Sequence, residues 1–504
     1  MRREILIDNA CGEVRVALLE DDRLAEIVIE RPGRPAVSGN IYKGRVSNIL
    51  PGMQSAFLDV GLDRDVFLYV QDLLHPDADP GETLDPDAAD GEVGTTRRPG
   101  SRTPIEDLLK LGQELLVQVV RDPIGQKGAR ATAQISLPGR FLVYLPQVAH
   151  VGVSRRIEDE EERERLRVRV STLVRERALP GGFIVRTAAM GQSERVLEED
   201  AAALAEEWSA IARLAGSRPA PALLRAEAGA VAKVLRDLFR DDVARVTVED
   251  ADLRRQALAA IAPGEPSLSA RIHLHTGTRP LFEERGVPAQ IDRALRPRVW
   301  LKSGGSIVIN QTEALVAIDV NTGKYVGVRR LEETIAKTNL EAAAEIVRQV
   351  RLRDLGGIIV IDFIDMEEAR SKEDLIRFLE QEIKKDRAKT RMLPLSEFGL
   401  VEITRQRARP SLERTLGAAC PCCGGSGRVK SAETLYFELA RALRAAGRVA
   451  GPVTVAAHPA IMEELRTFAA ARLEGEGAVG LPRLEFRADV DLSLQEFRID
   501  PDES

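Results

Sequence analysis

Two aspartates close apolar, strand-like runs in the second half of the chain. Asp319 follows the run ALVAI, and Asp362 follows the run GIIVI. A buried carboxylate without a partner is costly, so something must compensate each charge. Asn321 comes two residues after Asp319, and residues two apart on a strand share a face. Two carboxylates and an amide oxygen, with room for waters, suit magnesium.

The residues between the two aspartates predict a helix from about Leu331 to Leu355, because apolar positions recur there at helical spacing. Strand, helix and strand form a crossover unit, so we expect parallel strands with both aspartates at one carboxyl edge. Ligand sites of open α/β sheets lie at that edge. The alternative, that either aspartate only caps the turn or helix after it, stays open on spacing alone.

The chain after Pro297 alternates strands and helices. Its segments SIVIN, ALVAIDV and GIIVIDFI predict strands, and a second helix is expected from about residue 367 to 388. Such alternation predicts a mainly parallel sheet.

The first part of the chain predicts β structure with a possible RNA-binding surface. Residues 1–38 predict two or three strands, and five short strands with Gly-rich turns follow from Gly39, which is typical of a small OB-like barrel. Lys43, Phe67 and Lys127 fall on or near these strands. Such barrels stack bases on aromatic rings and pair lysines with phosphates. Taken singly, each phenylalanine is more often core and each lysine a solvated charge.

Arg186 and Thr187 end the predicted strand GFIVRT. An arginine can bind a terminal phosphate with two hydrogen bonds, and a threonine hydroxyl adds a further donor. An Arg-Thr pair is common at strand ends, so a purely structural role is the competing interpretation.

The overall charge hides a strong local asymmetry. The chain has 72 basic and 79 acidic residues, a net charge of -7. Residues 72–96 contain eight acidic and no basic side chains, so the remainder carries +1. A polyanionic partner is therefore compatible with the rest of the surface. The stretch 76–104 is rich in Pro, Gly, Asp and Thr, and we expect a disordered acidic insert there.

The termini and the histidines exclude several classes of protein. No signal peptide and no membrane span are predicted, and four cysteines in 504 residues are too few for a disulfide framework, so we expect a cytoplasmic chain. The five histidines show no catalytic or metal-ligating spacing, which disfavours a His-pair ribonuclease.

The cysteines cluster near residue 420. Cys420 and Cys423 form a C-x-x-C pair with Cys422 between them, and GGSG follows. Structural zinc needs four ligands, and this chain has no second C-x-x-C. Three alternatives are open. Cys422 and a distant residue complete the set, a second chain donates the same pair across a two-fold axis, or the thiols bind no metal. On spacing alone, all three alternatives stay open.

Several longer motifs occur in the order seen in the ribonuclease E/G family, and the chain resembles the catalytic half of that family from near residue 1 to about 430. These motifs are GNIYKGRV, SRRIE, FIVRTA, SRPAP, SGGSIVIN, TEALVAIDVN, TNLEAAAEI, RLRDLGGIIVIDFIDM, FGLVEITRQR and CPCCGGSG. The acidic insert, Cys422 and Lys389, which stands where an arginine is expected near the sensor, depart from the family pattern. With no long disordered segment after the catalytic half, the chain resembles the short ribonuclease G branch.

The resemblance implies a multi-domain fold of α+β and α/β parts. The expected domains are a split ribonuclease-H-like domain (1–38 and 219–295), an OB-fold RNA-binding domain (39–135), a 5′ sensor (136–218), a DNase-I-like catalytic domain (296–414), a zinc link (415–430) and a small C-terminal domain (431–504).

The resemblance also implies roles for single residues. Asp319 and Asp362 would bind magnesium with support from Asn321, and Phe67 and Lys127 would contact RNA. Cys420 and Cys423 would bind zinc, and with the resemblance we predict a homodimer linked by a zinc that the two chains share. Arg186 and Thr187 would bind a 5′-monophosphate.

The expected function is a magnesium-dependent endoribonuclease that cuts single-stranded RNA, leaves 5′-phosphate and 3′-hydroxyl ends, and acts in rRNA processing and mRNA decay as a homodimer or dimer of dimers. One rival is an RNA-binding scaffold without catalysis, against which the intact Asp319, Asn321 and Asp362 argue. The other is a magnesium-dependent phosphohydrolase of small molecules, against which the predicted OB-like barrel argues.

Overall fold

The computed structural model describes residues 2–33, 36–73, 103–123, 128–240, 242–261, 266–322, 331–396, 398–406, 409–445, 452–473 and 483–500. The predicted acidic insert falls almost wholly outside these ranges, and Lys127 lies outside them too. The chain divides into two compact units, Met1–Thr415 and Leu416–Ser504, and each is described by itself.

The strands of the described chain are mostly short. They are β1 (Arg3–Ala10), β2 (Glu13–Glu20), β3 (Arg23–Glu30), β4 (Ile41–Leu50), β5 (Ser55–Asp59), β6 (Val66–Tyr69), β7 (Glu114–Arg121), β8 (Arg130–Thr132), β9 (Leu137–Pro138), β10 (Leu142–Leu145), β11 (Val151–Val153), β12 (Gly182–Val185), β13 (Ala222–Arg225), β14 (Val243–Val248), β15 (Ile272–Leu274), β16 (Arg298–Trp300), β17 (Ser306–Gln311), β18 (Leu315–Asn321), β19 (Gly357–Asp362), β20 (Thr390–Met392), β21 (Leu400–Arg405), β22 (Val453–Ala457), β23 (Leu484–Ala488) and β24 (Phe497–Asp500).

The helices range from one turn to six. They are α1 (Ile105–Leu108), α2 (Glu160–Glu176), α3 (Glu194–Ser217), α4 (Ala230–Leu238), α5 (Ala251–Ala259), α6 (Pro266–Ser269), α7 (Leu281–Glu284), α8 (Val287–Ala294), α9 (Leu331–Leu352), α10 (Ala369–Ile383), α11 (Leu412–Leu416), α12 (Ala432–Ala445) and α13 (Pro459–Leu473). None of these helices, as far as they are described, combines the length and apolarity that crossing a membrane requires.

The first sheet joins two distant segments of the chain. Its strand order is β15-β14-β1-β2-β3, and β14 pairs in parallel with β1. Strands from the start of the chain and from residues 243–274 thus share one sheet. Ile5 and Ile7 pack in one buried cluster with Val231 and Leu235 of α4.

The second sheet is a closed barrel, which confirms the predicted small barrel of five strands. The strands β4, β5, β6, β8 and β7 follow one another, and β4 also pairs with β7. Leu58, Leu68 and Val117 fill its interior. One strand was not expected, because β13 from the later part of the chain adds to β4 outside the ring.

The third sheet has the order β11-β12-β10-β9 and packs against α2 and α3. Its mainly aliphatic core contains two aromatic rings in contact. The ring centroids of Tyr144 and Phe183 lie 5.0 Å apart, and both side chains are fully buried.

The fourth sheet, β16-β17-β18-β19-β21-β20, corrects the prediction of a mainly parallel sheet. Only β18 and β19 pair in parallel, while every other pair in this sheet is antiparallel. The helix α9 supplies the one crossover, whereas short connections join β16 to β17 and β17 to β18, and short connections favour antiparallel neighbours. The crossover unit was therefore predicted correctly and its extension to the whole sheet was wrong.

The helix α9 ends earlier than predicted, at Leu352 and not at Leu355. Asp354 has a left-handed backbone with a φ of 47°. Leu355 N–H donates to the carbonyl of Val350, and Asp354 N–H donates to that of Arg351. This pattern is a Schellman motif, and it satisfies the last carbonyls of a helix. The second predicted helix, 367–388, is also shorter, since α10 spans Ala369–Ile383.

Buried ion pairs join the first sheet to α9. Arg351 on α9 pairs with Glu20 and Glu26, at 3.0 and 2.9 Å, and Arg387 donates to Glu26 at 3.2 Å. Burial alone would raise the pKa of Glu26, but the nearby Arg387 and Arg351 outweigh it and lower that pKa to about 2.

The second unit has a three-stranded sheet of order β23-β22-β24. Leu435 of α12 and Leu465 of α13 are buried in one cluster with Ala457 of β22. The cysteine segment precedes α12 in this unit.

Candidate active site

The parallel pair β18 and β19 places the two aspartates side by side. Asp319 is the register partner of Asp362. Neighbouring strands lie about 4.8 Å apart, so one ligand can contact both side chains. Asp319, Asn321 and Asp362 are all exposed. We call the side of the sheet that carries these three residues the site face.

The opposite side of the sheet explains why the site face is available. Ile318 and Ile361 alternate with the aspartates and are buried, together with Ile346 of α9 and Leu379 of α10. The two helices therefore cover the other side of the strands. An aspartate at these positions does not have to be buried, because the strand directs it away from the helices.

Asn321 contacts Asp319 directly. Its Nδ2 donates to Oδ2 of Asp319 at 2.6 Å. Gly305 allows Asn321 to lie where it does, since a Cβ on residue 305 would come 2.8 Å from the backbone oxygen of Asn321. Atoms do not tolerate so short a contact, which explains why the second glycine of SGGSIVIN has no side chain.

The carboxylate pair has donor chemistry that fits a magnesium ion. Neither Asp319 nor Asp362 forms an ion pair with a lysine or arginine of the described chain, and two like charges side by side on neighbouring strands repel each other. A divalent cation would offset that repulsion. No group of three or more His, Cys, Asp or Glu suited to a metal occurs in the described ranges. Two carboxylates suffice for magnesium, which keeps waters and takes oxygens from substrate phosphates.

One positioning residue near the aspartates was not among the predicted site residues. Asn339 of α9 is fully buried, and its side chain donates to the carbonyl of Ile364 at 2.8 Å and accepts from the Ile364 N–H at 3.1 Å. It therefore fixes the backbone just after Asp362. A polar residue inside an apolar helix face is the signal that could have found it.

The barrel presents a pair of aromatic rings. Phe57 and Phe67 are register partners on β5 and β6, with ring centroids 5.7 Å apart in an edge-to-face arrangement. Both side chains are half-buried. The predicted residue Phe67 thus has an aromatic neighbour that can extend a stacking surface for bases.

Lys43 has structural contacts. Its Nζ donates to the carbonyls of Ala215 and Arg218 at 3.0 Å each, and it pairs with Glu114 at 3.0 Å. These three acceptors match the three N–H donors of an ammonium group. Lys43 therefore connects the barrel to the end of α3, and an RNA phosphate would compete with these partners.

Arg186 lies in the interior. It is 2% exposed, donates to the carbonyl of Gly139 at 2.6 Å and pairs with Asp237 at 2.9 Å. Thr187, next in the chain, starts a short 3-10 turn and is half-buried. Asp237 was not predicted from the sequence, because it lies 51 residues away on α4.

The charge on Asp237 is held by several guanidinium groups. Burial alone would raise the pKa of Asp237, but Arg236, Arg186 and Arg387 outweigh it and hold this pKa below its usual range. Arg387 belongs to the segment before β20, two residues from Lys389. Arg156 of the SRRIE motif donates to the backbone oxygen of Arg387 at 2.8 Å. The SRRIE segment therefore contacts the segment that leads into β20 of the fourth sheet.

The backbone of the cysteine segment favours the thiolate form of Cys420. Backbone hydrogen bonds from Cys423 and then Cys422 lower the pKa of the Cys420 thiol. The Gly427 N–H donates to Sγ of Cys423 at 3.3 Å. Zinc binds thiolates, so this arrangement suits Cys420 and Cys423 as ligands.

The chain combines an exposed carboxylate pair on a mixed sheet with a closed five-stranded barrel. A sequence profile of the Ribonuclease E/G family matches residues 136–408. Ribonuclease G of Escherichia coli K12 is 42% identical over 442 residues, 88% of this chain and 87% of that protein. The chain belongs to the ribonuclease E/G family.

Two further relatives match a similar share of this chain. Ribonuclease G of Haemophilus influenzae is 41% identical over 438 residues, 87% of this chain and 86% of that protein. Ribonuclease E of Escherichia coli K12 is 38% identical over 445 residues, which are 88% of this chain and 40% of that longer protein.

Proposed function

We propose that this protein is an endoribonuclease that cuts single-stranded RNA with magnesium at Asp319 and Asp362. Membership of the ribonuclease E/G family supports the enzyme class. The observation that carries the site is the register pairing of the two aspartates on an exposed face. A scaffold without catalysis has no need of this exposed and mutually repelling pair.

The residues of the site have separate tasks. Asp319 and Asp362 would hold the ion, and Asn321 orients the Asp319 carboxylate through the hydrogen bond at 2.6 Å. When bound, magnesium polarises a phosphate oxygen and lowers the pKa of a water. Asn339 keeps the backbone after Asp362 in place. Attack of water at phosphorus, with departure of the 3′ oxygen, leaves 5′-phosphate and 3′-hydroxyl ends.

The barrel would hold the RNA strand. Phe67 and Phe57 offer rings for base stacking, the sequence-tolerant means by which such barrels bind single strands. Lys127 is proposed as a phosphate contact from the resemblance alone. A similar contact by Lys43 would have to displace one of its three present acceptors.

The preference for 5′-monophosphorylated RNA is proposed for Arg186 and Thr187. A bound phosphate would share the Arg186 guanidinium with Asp237, or replace Asp237. Loss of Arg186 would therefore change both substrate preference and stability. Thr187→Val is the cleaner variant, because it removes one hydroxyl donor while the buried ion pair stays. We expect a smaller difference in rate between 5′-monophosphate and 5′-hydroxyl substrates in this variant.

Assembly is proposed to occur through zinc. Cys420 and Cys423 of two chains would complete a four-sulfur site in a homodimer, which could pair further into a dimer of dimers. Metal analysis should give half a zinc per chain, and a Cys420→Ser/Cys423→Ser protein should lose the dimer in sedimentation. One full zinc per chain would contradict the shared site. We further propose a cytoplasmic role in rRNA processing and mRNA decay.

One assay tests the proposed activity. A labelled single-stranded oligonucleotide with a 5′-monophosphate is incubated with the protein in magnesium or in EDTA, and the product ends are identified. We expect internal cleavage only with magnesium. Asp374→Asn is a matched control, since Asp374 is a carboxylate of α10 that pairs with Arg377 at 3.1 Å, away from the site face. Binding without cleavage by the unmodified protein would favour the scaffold.

A further inference from the structure

Trp300 is an exposed aromatic residue on β16, the edge strand of the fourth sheet, which also carries Asp319 and Asp362. Its side chain is 68% exposed. The guanidinium carbon of Arg298 lies 5.6 Å from the centre of the Trp300 ring, a cation–π contact. A single exposed apolar residue is ordinary on a protein surface. An exposed indole stacked with an arginine is a surface of the kind that binds nucleobases.

The sheet register relates this pair to the aspartates. Arg298 is paired with Val308, Val308 with Asp319, and Asp319 with Asp362, so these residues form one row across four strands. Residues of one row point to the same side of a sheet. Val299, between Arg298 and Trp300, packs into the core on the helix side. Arg298 and Trp300 therefore lie on the site face.

The distance from the aspartates is short. In the neighbouring row, Trp300 pairs with Ser306, and Ser306 pairs with Asn321. Two strand steps separate β16 from β18, or about 10 Å along the sheet. A single RNA strand whose scissile phosphate lies at Asp319 and Asp362 reaches Trp300 within a few nucleotides.

A positively charged cleft lies at the edge of the sheet, where residues of α9 line it together with those of β16. Its volume is about 860 Å³, and five arginines line it: Arg23, Arg293, Arg296, Arg298 and Arg348. Two acidic residues also line it, so its charge is five minus two, or +3. Glu345 pairs with Arg23 and Arg348, whereas Arg293, Arg296 and Arg298 are exposed and form no ion pair with a carboxylate of the described chain. Three exposed guanidinium groups beside an exposed indole suit a phosphate backbone with an unstacked base.

We propose that Trp300, Arg298 and this cleft form a second RNA-binding subsite, which takes a single-stranded segment flanking the scissile phosphate. One base stacks on the Trp300 ring, and the adjacent phosphates contact Arg298, Arg293 and Arg296. The subsite rests on the proposed function, because its place along the RNA is counted from the scissile phosphate at Asp319 and Asp362. It lies on a different element from Phe67 and would extend the length of RNA that the chain holds.

The fluorescence of Trp300 gives a direct test. The sequence has two tryptophans, and Trp208→Phe leaves Trp300 as the sole one. Single-stranded oligonucleotides of about 4 to about 16 nucleotides, the range of barrel sites, are titrated into this variant in EDTA, so that no cleavage occurs. We expect the longer oligonucleotides to quench Trp300 emission, and those too short to span both sites to leave it unchanged.

Affinity and kinetics provide the second readout. Trp300→Ala should weaken binding of the longer oligonucleotides about five- to a hundredfold, the loss that corresponds to one stacked base, and should raise KM with kcat nearly unchanged. Trp300→Phe should retain most of the affinity, and Arg298→Ala should weaken binding and make the affinity less dependent on salt concentration. Val168→Ala, an apolar residue 55% exposed on α2, is the control and should behave as the unmodified protein.

The outcomes separate the subsite from the nuclease. Normal cleavage and affinity in Trp300→Ala, with unquenched emission, would overturn the subsite and leave the proposed function intact. Quenching by RNA in a protein that never cleaves would support the subsite and contradict the nuclease. Emission that changes with protein concentration, and not with RNA, would make Trp300 a self-association surface and overturn the proposal.

Discussion

Asp319 and Asp362 lie exposed beside each other on a sheet face, whereas Asp237 is enclosed and paired with two arginines. The first pair keeps two negative charges next to each other without a basic partner in the described chain. The second arrangement satisfies its charge completely inside the protein. Water solvates the exposed charges and leaves them open to an outside ligand, whereas the buried charge needs partners from the protein itself.

The difference separates two roles that similar motifs suggest. Asp319, Asp362 and Arg186 were all predicted from their positions at strand ends. The side chains of the two aspartates are exposed, whereas that of Arg186 is buried. Substitution of an exposed aspartate should therefore affect activity and leave stability unchanged, while substitution of the buried pair should affect stability first.

The largest effect is expected at the aspartates. Asp319→Asn or Asp362→Asn should reduce cleavage at least about a hundredfold, because a magnesium site contributes several kcal/mol to the transition state. The melting temperature should be unchanged or slightly higher, because the repulsion between the two carboxylates is removed. Near-normal turnover by either variant at limiting magnesium would remove these residues from the active site.

A large effect on stability is expected at Arg186. Arg186→Ala leaves Asp237 buried with one guanidinium fewer, which should lower the free energy of unfolding by about 3 to 5 kcal/mol. Urea unfolding of this variant, of Asp237→Asn and of the double variant forms a mutant cycle. Costs of the two single changes that simply add would show that the pair is not coupled.

The buried ion pairs also predict how the free energy of unfolding falls at low pH. The pKa of Glu26 is lowered in the folded protein to about 2 from an ordinary 4.5. A lowered folded pKa adds stability above the unfolded value, and this stability is lost as the pH falls from about 4.5 towards 2. Glu26→Gln should be less stable at neutral pH, with a shallower loss in that window. Parallel acid titrations of the two proteins would contradict this assignment.

A smaller effect is expected at Phe67. Phe67→Ala should weaken binding of single-stranded RNA by about 1 to 3 kcal/mol, the usual contribution of one stacked base. Fluorescence anisotropy with a labelled oligonucleotide measures it, and circular dichroism shows whether the barrel stays folded. A fall in melting temperature with unaltered affinity would return Phe67 to the core.

The smallest effect on RNA is expected at Lys43. Lys43→Ala removes contacts to two carbonyls and to Glu114, so it should lower the free energy of unfolding by about 1 to 2 kcal/mol. The affinity for RNA should change little. A loss of affinity as large as that of Phe67→Ala would restore Lys43 as a phosphate contact.

The sequence alone determined most of the local elements and the residues proposed for the active site. The barrel strands, the crossover between β18 and β19, and Asp319, Asn321 and Asp362 follow from alternation, spacing and the family resemblance, because these are properties of neighbouring residues. Only the tertiary structure showed the partners of Arg186 and Lys43. It also showed the mixed strand directions of the fourth sheet and the row that links Arg298, beside Trp300, to the aspartates. Asp237 is 51 residues from Arg186, and Ala215 is 172 residues from Lys43. Such contacts depend on how distant segments pack, and no local pattern of residue types encodes them.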